Sequence, residues 1–512
     1  MKRYVNWRIG LIFGLLLTGC ASMGEAGTAV PSPTAETRML ILPGDDWGYP
    51  SPFAFYSRGP GYLHMSLLFD TLTWKDADGV IPWLAKRWTT SEDGTVWTFV
   101  LQDDVIWHDG APLTAEDVAF TYQYFQAHPE AFTWSWSVDR VTQVEAVDAR
   151  TVTVTLDAPL AGAHETLFGS LPIIPEHVWA GVSDPARYLA DDAVLGSGPF
   201  TLTDYSKAER RYRYAANPDY FRGAPTVDAL TFVKVENQAL ALETGEIAWA
   251  SFSGKELSAV DALRDNPDYG ILEGPSFWVL QLIFNMQREP LDAVAVRQAI
   301  AHAVDREAIV TQVTHDGAIV ASTGILSPFS PWHASGLLTY PHDPHAAREV
   351  LAAEGVVDSK LTLITTPDYA REAELVQADL QAVGLEVAVQ TGDRSTVDSL
   401  LREGNFDLAI NGHGGIANPA TLRTPTWPAD LYENPTYAAR FAEQATLVDT
   451  AARREVVDEL QHTIAEELPV LTLWHPKMWT VYDIDALDTW FYTQGGIGFG
   501  IPIAMNKLSF LE

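Results

Sequence analysis

The chain has 512 residues, and its 67 acidic side chains outnumber 33 basic ones, leaving a formal net charge of −34. Such a surplus argues against nucleic acid and anionic membrane surfaces as partners. The length predicts two to four domains or lobes, and the one cysteine, Cys20, leaves no disulfide framework, so stability must come from a large apolar core.

Lys2, Arg3 and Arg8 make a basic start, and Ile9 to Leu17 is a short apolar run followed at once by Thr18, Gly19 and Cys20. A charged region, an apolar region and small residues before a cut site describe an export signal over 1–19. The apolar run is too short to span a bilayer, which takes about 20 residues. Leu17–Cys20 resembles the bacterial lipobox, which implies lipid attachment at Cys20. Ala21 to Thr37 is rich in Gly, Ala, Ser, Thr and Pro, so 20–37 reads as a flexible tether.

Beyond the tether, strand and helix patterns alternate. Val96 to Leu101 places Trp97, Phe99 and Leu101 on one face, and Thr151 to Leu156 does the same with Val152, Val154 and Leu156. Both predict half-buried strands. Asp93-Gly94 and Asp109-Gly110 are turn pairs, and Thr114 with Asp117 predicts a capping box. Val296, Ile300, Val304 and Ala308 form one helical stripe with Asp292 as the expected N-cap. Val457, Leu460, Ile464 and Leu468 form another, stopped by Pro469, with a strand at Val470 to Trp474. This order predicts a mixed α/β (α+β) architecture with several lobes.

Pro82–Trp88, Ser91–Phe99 and Trp107–Val118 together are similar to the signature of the family 5 solute-binding proteins of ABC importers, the peptide- and nickel-binding group. Leu171–Trp179, Gly196–Leu202, Ala216–Pro225, Val296–Arg306, Asp343–Gly355 and Phe406–Ile410 continue the likeness in order. The resemblance implies a two-lobed, periplasmic-binding-protein-like fold that closes on its ligand by hinge motion. It implies a discontinuous first lobe (38–72, 196–285 and 476–512), an extra subdomain (73–195) and a second lobe (286–475). Strands near Leu280–Asn285 and Leu473–Lys477 would cross between lobes. The implied protein is a monomeric lipoprotein outside the cytoplasmic membrane, delivering an oligopeptide to permease subunits, with no cofactor and no catalysis.

In peptide-binding members an acid in the loop after the Phe-Asp-Leu strand pairs with the peptide's amino terminus. Here Asn418 stands before Pro419, where that acid is often found. A neutral amide favours hydroxyls, which keeps an oligosaccharide open as the ligand. Asp45 and Asp46 are alternative sources of negative charge. The expected ligand contacts are Trp47, Tyr49, Trp278, Asn411, His413, Asn418 and Trp474. His342 and His345 are too few for a metal site. No Gly-x-Ser-x-Gly, His-Glu-x-x-His or phosphate-loop motif is present, so a secreted hydrolase is the weaker alternative.

Overall fold

A computed structural model describes residues 38–55, 60–129, 137–356, 358–414, 417–426, 431–498 and 500–511. The export signal, Cys20 and the tether lie outside the described residues. Five sheets organise the described residues.

The first strand, Met39–Pro43, pairs in parallel with Ala229–Val233, and antiparallel strands Arg211–Ala216 and Phe200–Ser206 complete a four-stranded sheet. A second four-stranded sheet runs Ala85–Thr90, Val96–Leu101, Thr151–Leu156, Val141–Asp148, and a small hairpin joins Thr73–Lys75 to Val80–Pro82. Here the alternation read from sequence is realised. Trp97, Phe99, Leu101, Val152, Val154 and Leu156 are all buried. Gly94 and Gly110 take φ of +72° and +86°, as their turns require. The Thr114 N–H donates to Asp117 Oδ2 at 2.9 Å, starting the Ala115–Ala127 helix.

A three-stranded sheet runs Trp249–Ser253, Met478–Asp483, Tyr269–Gly274, and the chain connects it directly to the largest sheet. That largest sheet has six strands in the order Ala318–Val320, Val470–Pro476, Trp278–Phe284, Leu408–Gly414, Lys360–Thr365, Glu386–Thr391. The chain passes between the two sheets twice, from Gly274 to Trp278 and from Pro476 to Met478. Trp278–Phe284 is therefore an interior strand of the six-stranded sheet, and the crossing precedes it.

The stripe from Val296 to Ala308 is two helices, not one. Val294–Ala303 ends at Val304, whose backbone is extended, and Arg306–Thr314 begins anew. The reason is Asp305, whose carboxylate accepts the Ala308 N–H at 2.8 Å and caps the second helix. Asp292 caps nothing: Ala293 stands at the N-cap, without a side-chain bond. Thr450–Glu467 carries the other stripe as expected, with Val457, Leu460, Ile464 and Leu468 buried. His342 lies 3.2 Å from Asp305, and Asp343 caps the Pro344–Ala353 helix that carries His345.

Candidate functional site

The six-stranded sheet decides where a ligand crevice forms. Lys360–Thr365 is parallel both to Glu386–Thr391 on one side and to Leu408–Gly414 on the other. From Lys360–Thr365 the chain goes out to one neighbour and then returns to the opposite one. The two connecting helices pack on opposite faces. Ala373, Val376 and Leu380 of Ala370–Ala382 join one apolar cluster, while Val397 and Leu401 of Arg394–Arg402 join the other. In open α/β sheets the crevice outside the carboxyl ends of strands at such a reversal is the ligand site. Both crossings between the two sheets lie at this end of the six-stranded sheet, because Trp278 pairs with Gly414 and Leu280 with Trp474.

Four of the seven expected residues stand there. The Trp278 and Trp474 rings are 5.5 Å apart, and Tyr369 lies 6.1 Å from Trp278. Asn411 and His413 sit opposite Gln281 and Val279 on the adjoining strand. Strand alternation divides these four. Trp278 covers Gly412 on one face of the sheet, whereas Asn411 and His413 share the other face with Gln281. The two faces meet only at the strand end. Burial holds the His413 imidazole below its usual range, so it is neutral near pH 7.

Trp47 and Tyr49 belong to the loop after the first strand, in the other sheet. The Trp47 N–H donates to Tyr212 Oη at 2.8 Å. The Tyr49 hydroxyl donates to the Ala190 carbonyl at 3.1 Å, and burial raises its pKa to about 12, reinforced by Asp191 and Asp192. Asp45 pairs with Lys234 at 3.3 Å and Arg210 at 3.4 Å, and Asp46 accepts the Tyr205 hydroxyl at 2.7 Å. Both acids are thus engaged by residues on or beside the strands of their own sheet. Asn418 caps the Pro419–Arg423 turn, its Oδ1 accepting the Ala420 N–H at 2.9 Å.

Several residues at the crevice escape sequence reasoning. Arg394 donates to Asn411 Oδ1 at 2.9 Å and acts on the Tyr369 phenol. Gln281 is 3 % exposed, and its Nε2 has no hydrogen-bond partner. Lys255, from the turn after Trp249–Ser253, reaches Glu372 at 3.1 Å and the Asp368 carbonyl at 3.2 Å. That pair joins the two sheets across the crossings. Only pairing registers place these residues together, and no local pattern encodes them.

A profile of the bacterial extracellular solute-binding proteins, family 5 (middle), matches residues 79–429. The chain belongs to family 5 of the bacterial extracellular solute-binding proteins. It is an extracytoplasmic substrate-binding protein of the peptide- and nickel-handling ABC importers, a family without enzymatic activity. This solute-binding protein is 28 % identical to a probable di/tripeptide-binding protein of Pseudomonas aeruginosa over 432 residues, covering 78 % of this chain and 81 % of that one. It is 26 % identical to the nickel-binding periplasmic protein of Escherichia coli over 381 residues, covering 68 % and 70 %. Its fold matches the oligopeptide-binding protein AppA of Bacillus subtilis, solved with a nonapeptide. The TM-score is 0.73 at 20 % identity, with 93 % and 99 % of the two chains covered.

Proposed function

We propose that this solute-binding protein captures an oligopeptide between two lobes and presents the closed form to its permease. The observation that carries the reading is the pair of crossings at 274–278 and 476–478, set against the carboxyl ends of the parallel strands. Two short crossings between two sheets make a hinge, and a ligand that binds the closed form more tightly shifts the population toward it.

In this reading the first lobe comprises 38–72, 196–274 and 478–512, the extra subdomain 73–195, and the second lobe 278–476. Trp278 and Trp474 floor the crevice, and Trp47 and Tyr49 face it from the first lobe. Asn411, His413 and Asn418 contribute from the second. Peptide is favoured over nickel complexes and oligosaccharides by the di/tripeptide- and oligopeptide-binding relatives. The deciding experiment is a thermal-shift and calorimetric screen against di- to nonapeptides, a nickel–histidine chelate and manno- or cello-oligosaccharides. A ligand at 100 times its Kd should add about 2.7 kcal/mol of stability. Stabilisation by sugar or chelate with no response to any peptide would overturn the choice.

The same reading makes the protein a lipoprotein anchored at Cys20. Cys20→Ala should release it from the membrane fraction, and an unmodified Cys20 in the wild-type mass spectrum would refute the anchor.

A further inference from the structure

We propose that the junction between the Pro435–Gln444 and Thr450–Glu467 helices latches onto the extra subdomain and sets how much of the protein is closed before ligand arrives; the inference rests on the two-lobe reading above. In that reading the extra subdomain (73–195) and the second lobe (278–476) share no direct chain connection. They are joined only through the first lobe and its crossings at 274–278 and 476–478. Yet residues 94 and 161–165 meet residues 445–453. The Ala161 N–H donates to the Ala445 carbonyl at 2.9 Å. Val448 seats on Gly94, where an added Cβ would stand 2.8 Å from Val448 Cγ2. Arg453 reaches Gly162, where an added Cβ would stand 3.3 Å from Nη1. Two glycines thus clear space for two side chains of the other body, and a backbone hydrogen bond fixes their register. A rotation about the crossings that opens the crevice breaks this contact, because no chain segment ties the two bodies there.

Charge joins shape at this contact. Within its own lobe Arg453 is held by neutral groups. Its Nε donates to Gln444 Oε1 at 3.1 Å, and its guanidinium lies 4.8 Å from the Trp332 ring centre. These partners orient the fork without cancelling its charge. The carboxylate that acts on it is Glu165 of the other body, anchored there by Lys75 at 3.0 Å. The Lys75 side chain is 6 % exposed and that of Glu165 27 %, so salt screens the cluster less than it would a surface pair. Closing brings Arg453 to the Lys75–Glu165 pair, and opening returns Arg453 and Glu165 to water. An attraction of this kind does not involve the ligand, so it favours closure equally for every ligand.

The test traps the contact with a disulfide. Ala161→Cys with Ala445→Cys puts two thiols where a backbone hydrogen bond holds the chains together, within the roughly 4.4–6.8 Å between Cα atoms that a disulfide spans. In protein freed of ligand by unfolding and refolding, mild oxidant should close this pair. Adding Arg453→Met should slow trapping by about threefold to tenfold. Val448→Ser, at a side chain 48 % exposed, should act in the same direction. Melting curves check that both variants fold. Without the added cysteines, calorimetry with trialanine and with nickel–histidine reads the same equilibrium. Each variant should weaken whichever probe binds, by one common factor of about three to ten if both do. Saturation with a bound probe should restore the wild-type trapping rate. No trapping in the parent pair, or equal rates with and without Arg453→Met, overturns the proposal. Slower trapping with unchanged affinity marks a local contact without bearing on closure, and overturns it too, as does a loss confined to one of two bound probes. Should the wild type bind neither probe, the peptide and chelate readings fail, and the ligand-free trapping rates alone decide the latch.

Discussion

The indole of Trp278 covers Gly412 on the paired strand so closely that a Cβ added to Gly412 would overlap the ring's Cζ2 atom. Glycine here makes room for an aromatic ring at the crossing rather than for an unusual backbone angle. Gly412→Ala should displace Trp278 from Trp474 and destabilise the protein by about 1–3 kcal/mol, the usual range for overpacking. Urea unfolding followed by tryptophan fluorescence checks this. Wild-type stability with an unaltered spectrum would show that the ring is not seated on the strand.

A second prediction concerns acid. His475 is fully buried at the crossing, with Nδ1 3.1 Å from the Trp278 carbonyl and Nε2 3.4 Å from the Ser322 N–H. A neutral ring satisfies both, donating from Nδ1 and accepting at Nε2. Burial lowers its pKa to about 4, and that of His64 to about 3. Above pH 6.5 both rings are neutral in folded and unfolded chains alike and contribute no pH dependence. Below it the unfolded chain takes up protons that the native state refuses, so stability falls as pH drops toward 4. The slope should be about 1 kcal/mol per pH unit for each histidine. Denaturant titrations between pH 4 and 7 should show it, and His475→Gln should flatten it. An unchanged slope in the variant would exclude His475 as a source.

What was legible in the sequence was whatever a local pattern encodes. The strands Val96–Leu101 and Thr151–Leu156 follow from strict alternation, and the start of the Ala115–Ala127 helix from its capping box. The break at Val304 is hidden from periodicity because the apolar stripe runs through it, while Asp305 offers a new helix start that periodicity does not register. The candidate site was half legible. Trp278 and Trp474 are placed by their nearness to the crossings, whereas Arg394 meets Asn411 only through sheet order. Asn418 reads as a ligand residue from its neighbour Pro419, whereas the turn that its side-chain oxygen caps shows only in the structure. A single sequence shows the cap and the contact as the same letter.

The third prediction concerns a buried ion pair. Lys507, near the C-terminus, meets Asp70 at 2.5 Å, and neither side chain is exposed. Asp70 also accepts Trp83 Nε1 at 2.6 Å, Tyr220 Oη at 2.9 Å and Ser197 Oγ at 2.9 Å, while the Lys507 ammonium sits 4.2 Å from the Trp74 ring centre. The pair is fully desolvated, so removing one partner strands the other's charge. Lys507→Met should cost about 3–5 kcal/mol, and the double variant with Asp70→Asn should recover part of that loss. Equilibrium unfolding of both variants measures the coupling. A double variant no more stable than Lys507→Met would mean that the cost is packing rather than stranded charge.

The last prediction separates ligand classes at Asn418. Its Oδ1 holds the Ala420 N–H at 2.9 Å and its carbonyl accepts the Thr421 N–H at 3.0 Å, so the residue starts the 419–423 turn. Asp caps such a turn about as well as Asn, so Asn418→Asp should leave stability within about 0.5 kcal/mol of wild type. Binding then reports on ligand chemistry alone. A peptide ammonium near this turn would gain a counter-charge, so peptide affinity should hold or improve. A sugar hydroxyl that accepts from the amide would lose its donor and face a carboxylate instead, weakening binding by about 1–3 kcal/mol. The expected outcome is retained peptide binding with an unchanged melting temperature. Tight wild-type binding of an oligosaccharide, lost in Asn418→Asp while peptides bind neither protein, would reverse the proposed ligand class and leave the fold as it stands.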